Sequence, residues 1–183
     1  MENLTTKLLS VALAIFTLPL IGCASTNTST LVKPSVSDNV IGATTKEILV
    51  AESMRLPIIK ADPSLTDSQK QCIDQVNLTK MAKKVQGMLR YKFTENELSE
   101  LDKFFDSESA KAASKATRMQ IASLLSGGDM TQGVKLMPKQ EADIVDFTNS
   151  ALGKKFEQAT KSDGHISLTI SAFVTESVSN CGV

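Results

Sequence analysis

Apolar residues recur at helical spacing along most of the chain beyond residue 44. In the segment from Leu78 to Lys92 they fall at i, i+3, i+4 and i+7, which is typical of a helix with one apolar face. Similar stripes predict helices from about Thr45 to Met54 and onward from Thr66, Thr94, Ser107, Pro138 and Ser150. The pattern predicts an all-α fold, a small helical bundle over residues 44–183.

Polar residues mark where several of these helices begin. Thr66 with Gln69, and Thr94 with Glu97, have capping-box spacing, in which each side chain accepts a backbone N–H from the other residue.

Other residues predict the remaining helix ends. Thr44 or Thr45 is the predicted cap of the first helix, and Pro57 is expected to end it. Ser107 is the predicted cap of a helix that runs to about Ser126 and stops at Gly127-Gly128.

The C-terminal segment, residues 165–180, fits two periodicities. Ile166, Leu168 and Ile170 alternate as in a strand, whereas Ile166, Ile170 and Val174 form a helical stripe. We expect a helix, because no partner strand is visible elsewhere in the sequence.

The predicted helices on either side of Phe93 carry opposite charge. The polar face before it is basic and the face after it is acidic apart from Lys103; the residues are Lys80, Lys83, Lys84, Arg90 and Lys92, then Glu95, Glu97, Glu100, Asp102 and Asp106. This predicts an antiparallel pair joined by solvated ion pairs, each contributing about 0–1 kcal/mol.

The N-terminal segment has a different, uninterrupted apolar pattern. Residues 8–20 (LLSVALAIFTLPL) are too few for a bilayer span, which takes roughly 20 residues, but match the apolar region of a secretory signal. Leu20-Ile21-Gly22-Cys23 follows and resembles the lipobox of bacterial lipoproteins. The resemblance implies a signal peptide over 1–22 and acylation of Cys23, with membrane lipid as the first partner. The alternative is an ordinary secretory signal with a stray cysteine.

The lipobox resemblance also implies a cellular location. Ala24 follows Cys23, and a residue other than aspartate there implies export to the periplasmic face of the outer membrane. Residues 23–43 are rich in Ser, Thr and Asn and lack apolar periodicity. They are predicted to form a flexible, lipidated tether.

Composition and cysteine count narrow the possibilities further. The chain has 20 basic and 20 acidic residues, so it lacks the basic footprint that nucleic-acid binding requires. Once Cys23 is assigned to the anchor, Cys72 and Cys181 remain, and in an oxidising envelope we predict that they form a disulfide. Two buried free thiols are the alternative.

Two stretches 43 residues apart look like copies of one helix hairpin, spanning about 93–126 and 136–162. Phe104 aligns with Phe147, Ser107 with Ser150, and Ala110 with Gly153. FTENELSELDKFFDSESAK and MPKQEADIVDFTNSALGKKF resemble the domain-of-unknown-function 2059 group of secreted bacterial proteins. The resemblance covers roughly residues 66–160 and implies an all-helical fold, without a reaction or catalytic residues.

Candidate chemistry is sparse. His165 is the only histidine, which excludes a zinc site of two or three histidines, and no cofactor motif is present. Carboxylates at i, i+3 occur as Glu97 with Glu100 and Asp143 with Asp146.

Two functions from different classes follow. We expect a non-enzymatic binding or structural module with an envelope protein partner. The alternative is a hydrolase that acts on an envelope polymer through a carboxylate. Methionine-rich helices could also line a lipid-carrying groove.

Overall fold

The computed structural model describes residue 32 and residues 35–127 and 135–183. The predicted signal peptide, Cys23 and Gly128 lie outside the described residues. Within them the regular structure is helical, which confirms the predicted all-α fold. The elements are α1 (Ala43–Ser53), α2 (Arg55–Lys60), α3 (Asp67–Asp74), a 3-10 turn (Leu78–Met81), α4 (Ala82–Lys92), α5 (Glu95–Phe105), α6 (Glu108–Leu125), α7 (Pro138–Asn149), α8 (Ala151–Thr160) and α9 (His165–Ser179).

The main core lies where α1, α4, α5 and α9 meet. Leu49, Val85, Leu101 and Ile170 come from these four helices and are completely buried. A smaller apolar cluster joins Val32 to α1 and α6. Most of the hydrophobic stabilisation therefore comes from packing α1 and α9 against the α4–α5 hairpin.

The C-terminal segment is helical, as predicted. Ile166, Ile170 and Val174 share the buried face of α9, whereas Leu168 is 55% exposed. A strand would have placed Leu168 on the same face as Ile166 and Ile170. The residues that the core buries thus follow the helical period and not the strand period.

The predicted capping signals are found in place. Thr66 and Thr94 each form a capping box, with Gln69 and Glu97 respectively. Ser107 accepts the backbone N–H of Ala110 at the start of α6. These local signals confirm the predicted helix starts.

The prediction that Thr44 or Thr45 caps α1 is wrong. Gly42 occupies the cap position, with a φ of 85°, and supplies no side chain. Instead, the Thr44 N–H and hydroxyl donate to the Asp102 carboxylate of α5, at 2.8 and 2.6 Å. The N-terminus of α1 is thus satisfied by another helix.

The expectation for Pro57 is also wrong. The chain turns at Met54, and Pro57 is the third residue of α2. A proline is tolerated there because the N–H groups of a first helical turn have no partner within the helix.

Part of the predicted tether packs on the helical domain. Val36 and Val40 are half-buried against the main core. The Ser37 N–H donates to Thr79 Oγ1 at 2.9 Å, and the Leu78 N–H donates to the Ser35 carbonyl at 3.1 Å. Residues 35–42 therefore belong to the folded domain.

The predicted disulfide between Cys72 and Cys181 is present. It joins α3 to the residues just after α9, with Cα atoms 5.6 Å apart and a sequence separation of 109. That separation lies inside the range that disulfides adopt. The bridge fixes the C-terminal helix to the first half of the chain.

Phenylalanines from both predicted hairpins form one cluster. The rings of Phe104 and Phe147 are stacked, with centroids 3.6 Å apart, and Phe105 contacts Phe147 and Phe156. Ser107 and Ser150 cap the helices that follow in the same way. The origin of the two hairpins as copies of one unit stays a prediction.

In the part of the chain that the structure describes, no helix combines the length and the apolar character needed to cross a membrane.

Candidate functional site

The two carboxylate pairs predicted as possible acid–base groups lie on the surface. Glu97 accepts the Thr94 N–H and binds Lys155 at 2.7 Å, and the Lys155 ammonium holds the pKa of this carboxyl below its usual range. Asp143 accepts the Ser109 hydroxyl at 2.7 Å, while Glu100 and Asp146 are exposed. Neither pair has the desolvated member that general acid–base chemistry needs.

The predicted ion pairs between α4 and α5 do not form among the described residues. Glu97 binds Lys155 of α8, Asp106 binds Lys111 of α6, and Asp102 binds the N-terminus of α1. Three of the five carboxylates on the acidic face of α5 are thus engaged by other elements. The basic face of α4 is left facing solvent.

A groove of about 970 Å³ opens between α4 and the α8–α9 junction. We call it the basic groove. Its floor is apolar and consists of Met88, Phe93, Ala159 and Ile166, of which Phe93 and Ile166 are buried core residues. Its volume is in the range of small-molecule sites, about 300–1,000 Å³.

Helical spacing explains how α4 builds one wall. Lys84, Met88 and Tyr91 recur at i, i+4 and i+7, so they lie on one face. Gly87 lies between them, and a Cβ added there would meet nothing within 4 Å. The missing side chain keeps this part of the groove open.

The rim of the groove is positively charged. Lys84, Lys92, Lys155 and Lys161 all line it, and none of its lining residues is acidic. Lys155 also forms an ion pair with Glu97, and the Lys161 ammonium lies 3.3 Å from the Asp163 carboxylate.

Lys84 and Lys92 form no ion pair with any residue in the described ranges. The charge of these two lysines is therefore available to a ligand.

Two further residues complete the mouth of the groove. Tyr91 is 86% exposed, and His165 begins α9 beside Gly164, which offers no capping side chain. The positive N-terminal end of α9 adds to the lysine charge.

The methionines do not share one groove. Met54 and Met81 are buried, Met119 and Met137 are exposed, and Met88 lines the basic groove. Met130 lies outside the described residues. Of the described methionines, only Met88 lines the basic groove.

A second cleft, of about 1110 Å³, lies between residues 36–47 and helices α4–α6. Its charges are mixed and largely matched: Lys46 binds Asp38 and Lys111 binds Asp106. Burial raises the pKa of Glu47 in its wall, opposed by the Ser114 hydroxyl and by Arg118. Because the cleft is lined by both acidic and basic residues, its charge does not indicate a particular class of ligand.

A buried ionic cluster was missed by the sequence analysis. Glu52 is 2% exposed, and burial raises the pKa of its carboxyl to about 7. Arg55 lies 3.7 Å from the carboxylate and donates to the Ser171 hydroxyl of α9.

The signal for this cluster was available in the sequence. Glu52 follows Ile48 and Leu49 at i+4 and i+3, which places it on their apolar face.

Among the described residues, no group of three or more His, Cys, Asp or Glu is arranged to hold a metal ion. No protein-family model matches the chain, and no curated protein and no solved structure is significantly similar to it.

Proposed function

We propose that the protein is a lipid-anchored envelope protein and a non-enzymatic binding module, whose basic groove holds an anionic envelope component. The observation that carries the proposal is the groove itself. Its apolar floor and unpaired rim lysines suit a ligand with an anionic part and an apolar part.

The disulfide supports the envelope location. Such bridges form and persist in oxidising compartments and are rare where thiols are kept reduced. Cys72 and Cys181 are joined within one domain, so the bridge fits a protein that folds after export.

The anchor would keep the groove close to the membrane. Val32, which packs against α1 and α6, lies nine positions after Cys23. Even fully extended, nine residues span only about 30 Å. A lipidated Cys23 therefore confines the groove to the region next to the lipid headgroups.

Metabolic labelling tests the anchor. Cells supplied with an alkyne fatty acid are expected to label the wild-type chain and Cys72→Ser, but not Cys23→Ser. The Cys72→Ser variant is the matched control, since it removes a thiol without removing the lipobox cysteine. Label that persists in Cys23→Ser would contradict acylation at this residue.

Photo-crosslinking in intact cells tests binding at the groove. Position 91, at the mouth, is replaced by a photoreactive amino acid, and exposed Lys139 on α7 serves as the control position. Adducts are expected at 91, absent at 139, and lost from 91 when Gly87→Leu fills the groove. Equal adducts at both positions would rule out selective binding at the groove.

The hydrolase alternative is tested by complementation. If Glu97→Ala or Asp143→Ala fails to restore the phenotype of a deletion strain, although the variant is folded and present at the normal level, the carboxylate mechanism gains support. Full complementation by both is the expected result.

A further inference from the structure

We propose that the ligand of the basic groove is a single anionic phospholipid, with its phosphate between Lys84 and Lys92 and its acyl chain along the apolar floor. This inference rests on the proposed binding function and names its ligand class. It makes the domain a lipid-binding protein and not only a lipid-anchored one.

The charge of the groove selects an anionic ligand. Its lining contains four lysines and a histidine and no carboxylate, although the whole chain is neutral. Lys155 and Lys161 have acidic neighbours, so the net positive charge of the groove comes from Lys84 and Lys92. Each lysine close to an anionic lipid headgroup strengthens binding about 5-fold.

The floor selects an amphiphile over an acidic peptide. Apart from its lysines and His165, the lining has only Tyr91 and Gln158 as hydrogen-bonding side chains, and the α4 wall is a helix whose interior backbone groups are paired with one another. A peptide would leave its own backbone N–H and C=O groups without partners there. An acyl chain has none to satisfy.

Tyr91 supports a lipid in a second way. An exposed tyrosine beside lysines is typical of surfaces at the headgroup level, where the ring contacts apolar chains and the hydroxyl stays in water. Tyr91 is 86% exposed, and Lys92 Nζ lies 5.7 Å from its ring centroid, so most of the ring is open to a ligand beside a lysine.

Native mass spectrometry of the full-length chain in non-ionic detergent tests the inference. The protein is mixed with phosphatidylglycerol or phosphatidylcholine of the same acyl composition. One phosphatidylglycerol per chain is expected, held at least about 10-fold more tightly than phosphatidylcholine. Equal binding of the two lipids would overturn the charge argument.

Matched variants locate the bound lipid. Lys84→Gln with Lys92→Gln is expected to weaken phosphatidylglycerol about 25-fold. Lys80→Gln with Lys83→Gln removes the same charge from exposed positions nearby that do not line the groove, and binding is expected to stay unchanged. Equal losses in both pairs would show a diffuse surface effect and overturn the site.

A blocking variant tests the acyl chain separately. Gly87→Leu adds a side chain where there is open space and favours the helix, so it is expected to fold and to lose both lipids. Unchanged binding in this variant would exclude the floor as the acyl site.

Competition separates the remaining occupants. Displacement of the lipid by millimolar inorganic phosphate, by an acidic helical peptide, or by a second copy seen as a dimer would each overturn the lipid assignment. If lipid binding fails but position 91 still crosslinks in cells, the binding function stands and only the ligand class is wrong. Failure of both experiments would remove the proposed function itself.

Discussion

Phe104 and Phe147 lie face to face, with ring centroids 3.6 Å apart and ring planes 10° apart. They come from α5 and α7, so their contact joins the two segments that the sequence predicted as hairpins. Phe105 packs edge-on against Phe147 with centroids 5.9 Å apart. The aromatic cluster thus connects the two segments, together with the hydrogen bond from the Ser109 hydroxyl of α6 to Asp143 of α7.

A double-mutant cycle measures this connection. Phe104→Leu and Phe147→Leu are each expected to destabilise the fold, and their combination should show a coupling of about 0.5–1.5 kcal/mol in the free energy of unfolding. Urea unfolding gives the values. Phe104→Leu with Phe93→Leu, two rings that are not in contact, should be additive; strict additivity of the Phe104–Phe147 pair would contradict the stacked contact.

Gly153 is required by a close backbone approach. A Cβ at this position would lie 1.9 Å from the Phe147 carbonyl oxygen. Gly153→Ala is therefore expected to lower the free energy of unfolding by about 1–3 kcal/mol, because the α7–α8 junction must shift.

Gly87→Ala is the matched control for that substitution. Its Cβ would enter open space within α4, so it should raise the free energy of unfolding by about 0.5–1 kcal/mol. Thermal and urea unfolding of the two variants check the opposite signs. Equal effects of the two alanines would argue against the close approach at Gly153.

The disulfide is expected to stabilise the native state. Reduction breaks a cross-link between residues that are 109 positions apart. The unfolded chain then gains conformational freedom, because the loop between them is no longer closed. A loss of about 2–5 kcal/mol in the free energy of unfolding should follow.

Thiol alkylation followed by mass spectrometry checks the pairing. Cys72 and Cys181 should react only after reduction. Modification of either residue in the unreduced, denatured protein would contradict the bridge.

The sequence predicted this fold well wherever the signal was local. The Thr66 and Thr94 capping boxes depend on residues three positions apart, and the stripe of α9 lies within one helix. Both features could therefore be predicted from the sequence without knowledge of the tertiary structure.

Features set by contacts between distant residues were not predicted. Thr44 was predicted as a cap, because nothing local shows that Asp102, 58 residues away, satisfies its N–H and hydroxyl. The same contact removed Asp102 from the expected pairing of α4 with α5. The basic groove combines residues of α4, α8 and the start of α9, so it could not be derived from the charges of neighbouring helices alone.

Among the carboxylates of α5, Asp102 is expected to contribute most to the free energy of unfolding. Thr44 is 1% exposed, so Asp102→Ala leaves a buried N–H and hydroxyl without partners and should cost about 2–3 kcal/mol. Asp102→Asn keeps an acceptor but loses the charge at the N-terminus of α1, and should cost less.

Exposed Glu100 on the same helix provides the control. Glu100→Ala should leave the free energy of unfolding nearly unchanged in urea titrations. A similar loss in Glu100→Ala and Asp102→Ala would show that the acidity of α5, and not the contact with Thr44, matters.

Glu52 should make stability depend on pH. Its pKa rises from 4.5 when exposed to about 7 in the fold, chiefly through burial and against the opposing effects of Arg55 and Ser167. Between these two values the folded chain binds more protons than the unfolded chain, so the free energy of unfolding decreases as pH rises. The decrease is on the order of 3 kcal/mol, complete slightly above pH 7.

Glu52→Gln removes this titration and is expected to flatten the stability curve between pH 5 and 8. Glu47 titrates in the same direction, because burial raises its pKa too, so part of the slope should persist until Glu47→Gln is added. The comparison uses slopes, since Glu52→Gln also leaves Arg55 without its carboxylate at every pH. Parallel curves for the wild type and Glu52→Gln would show that the buried carboxyl does not change protonation in this range.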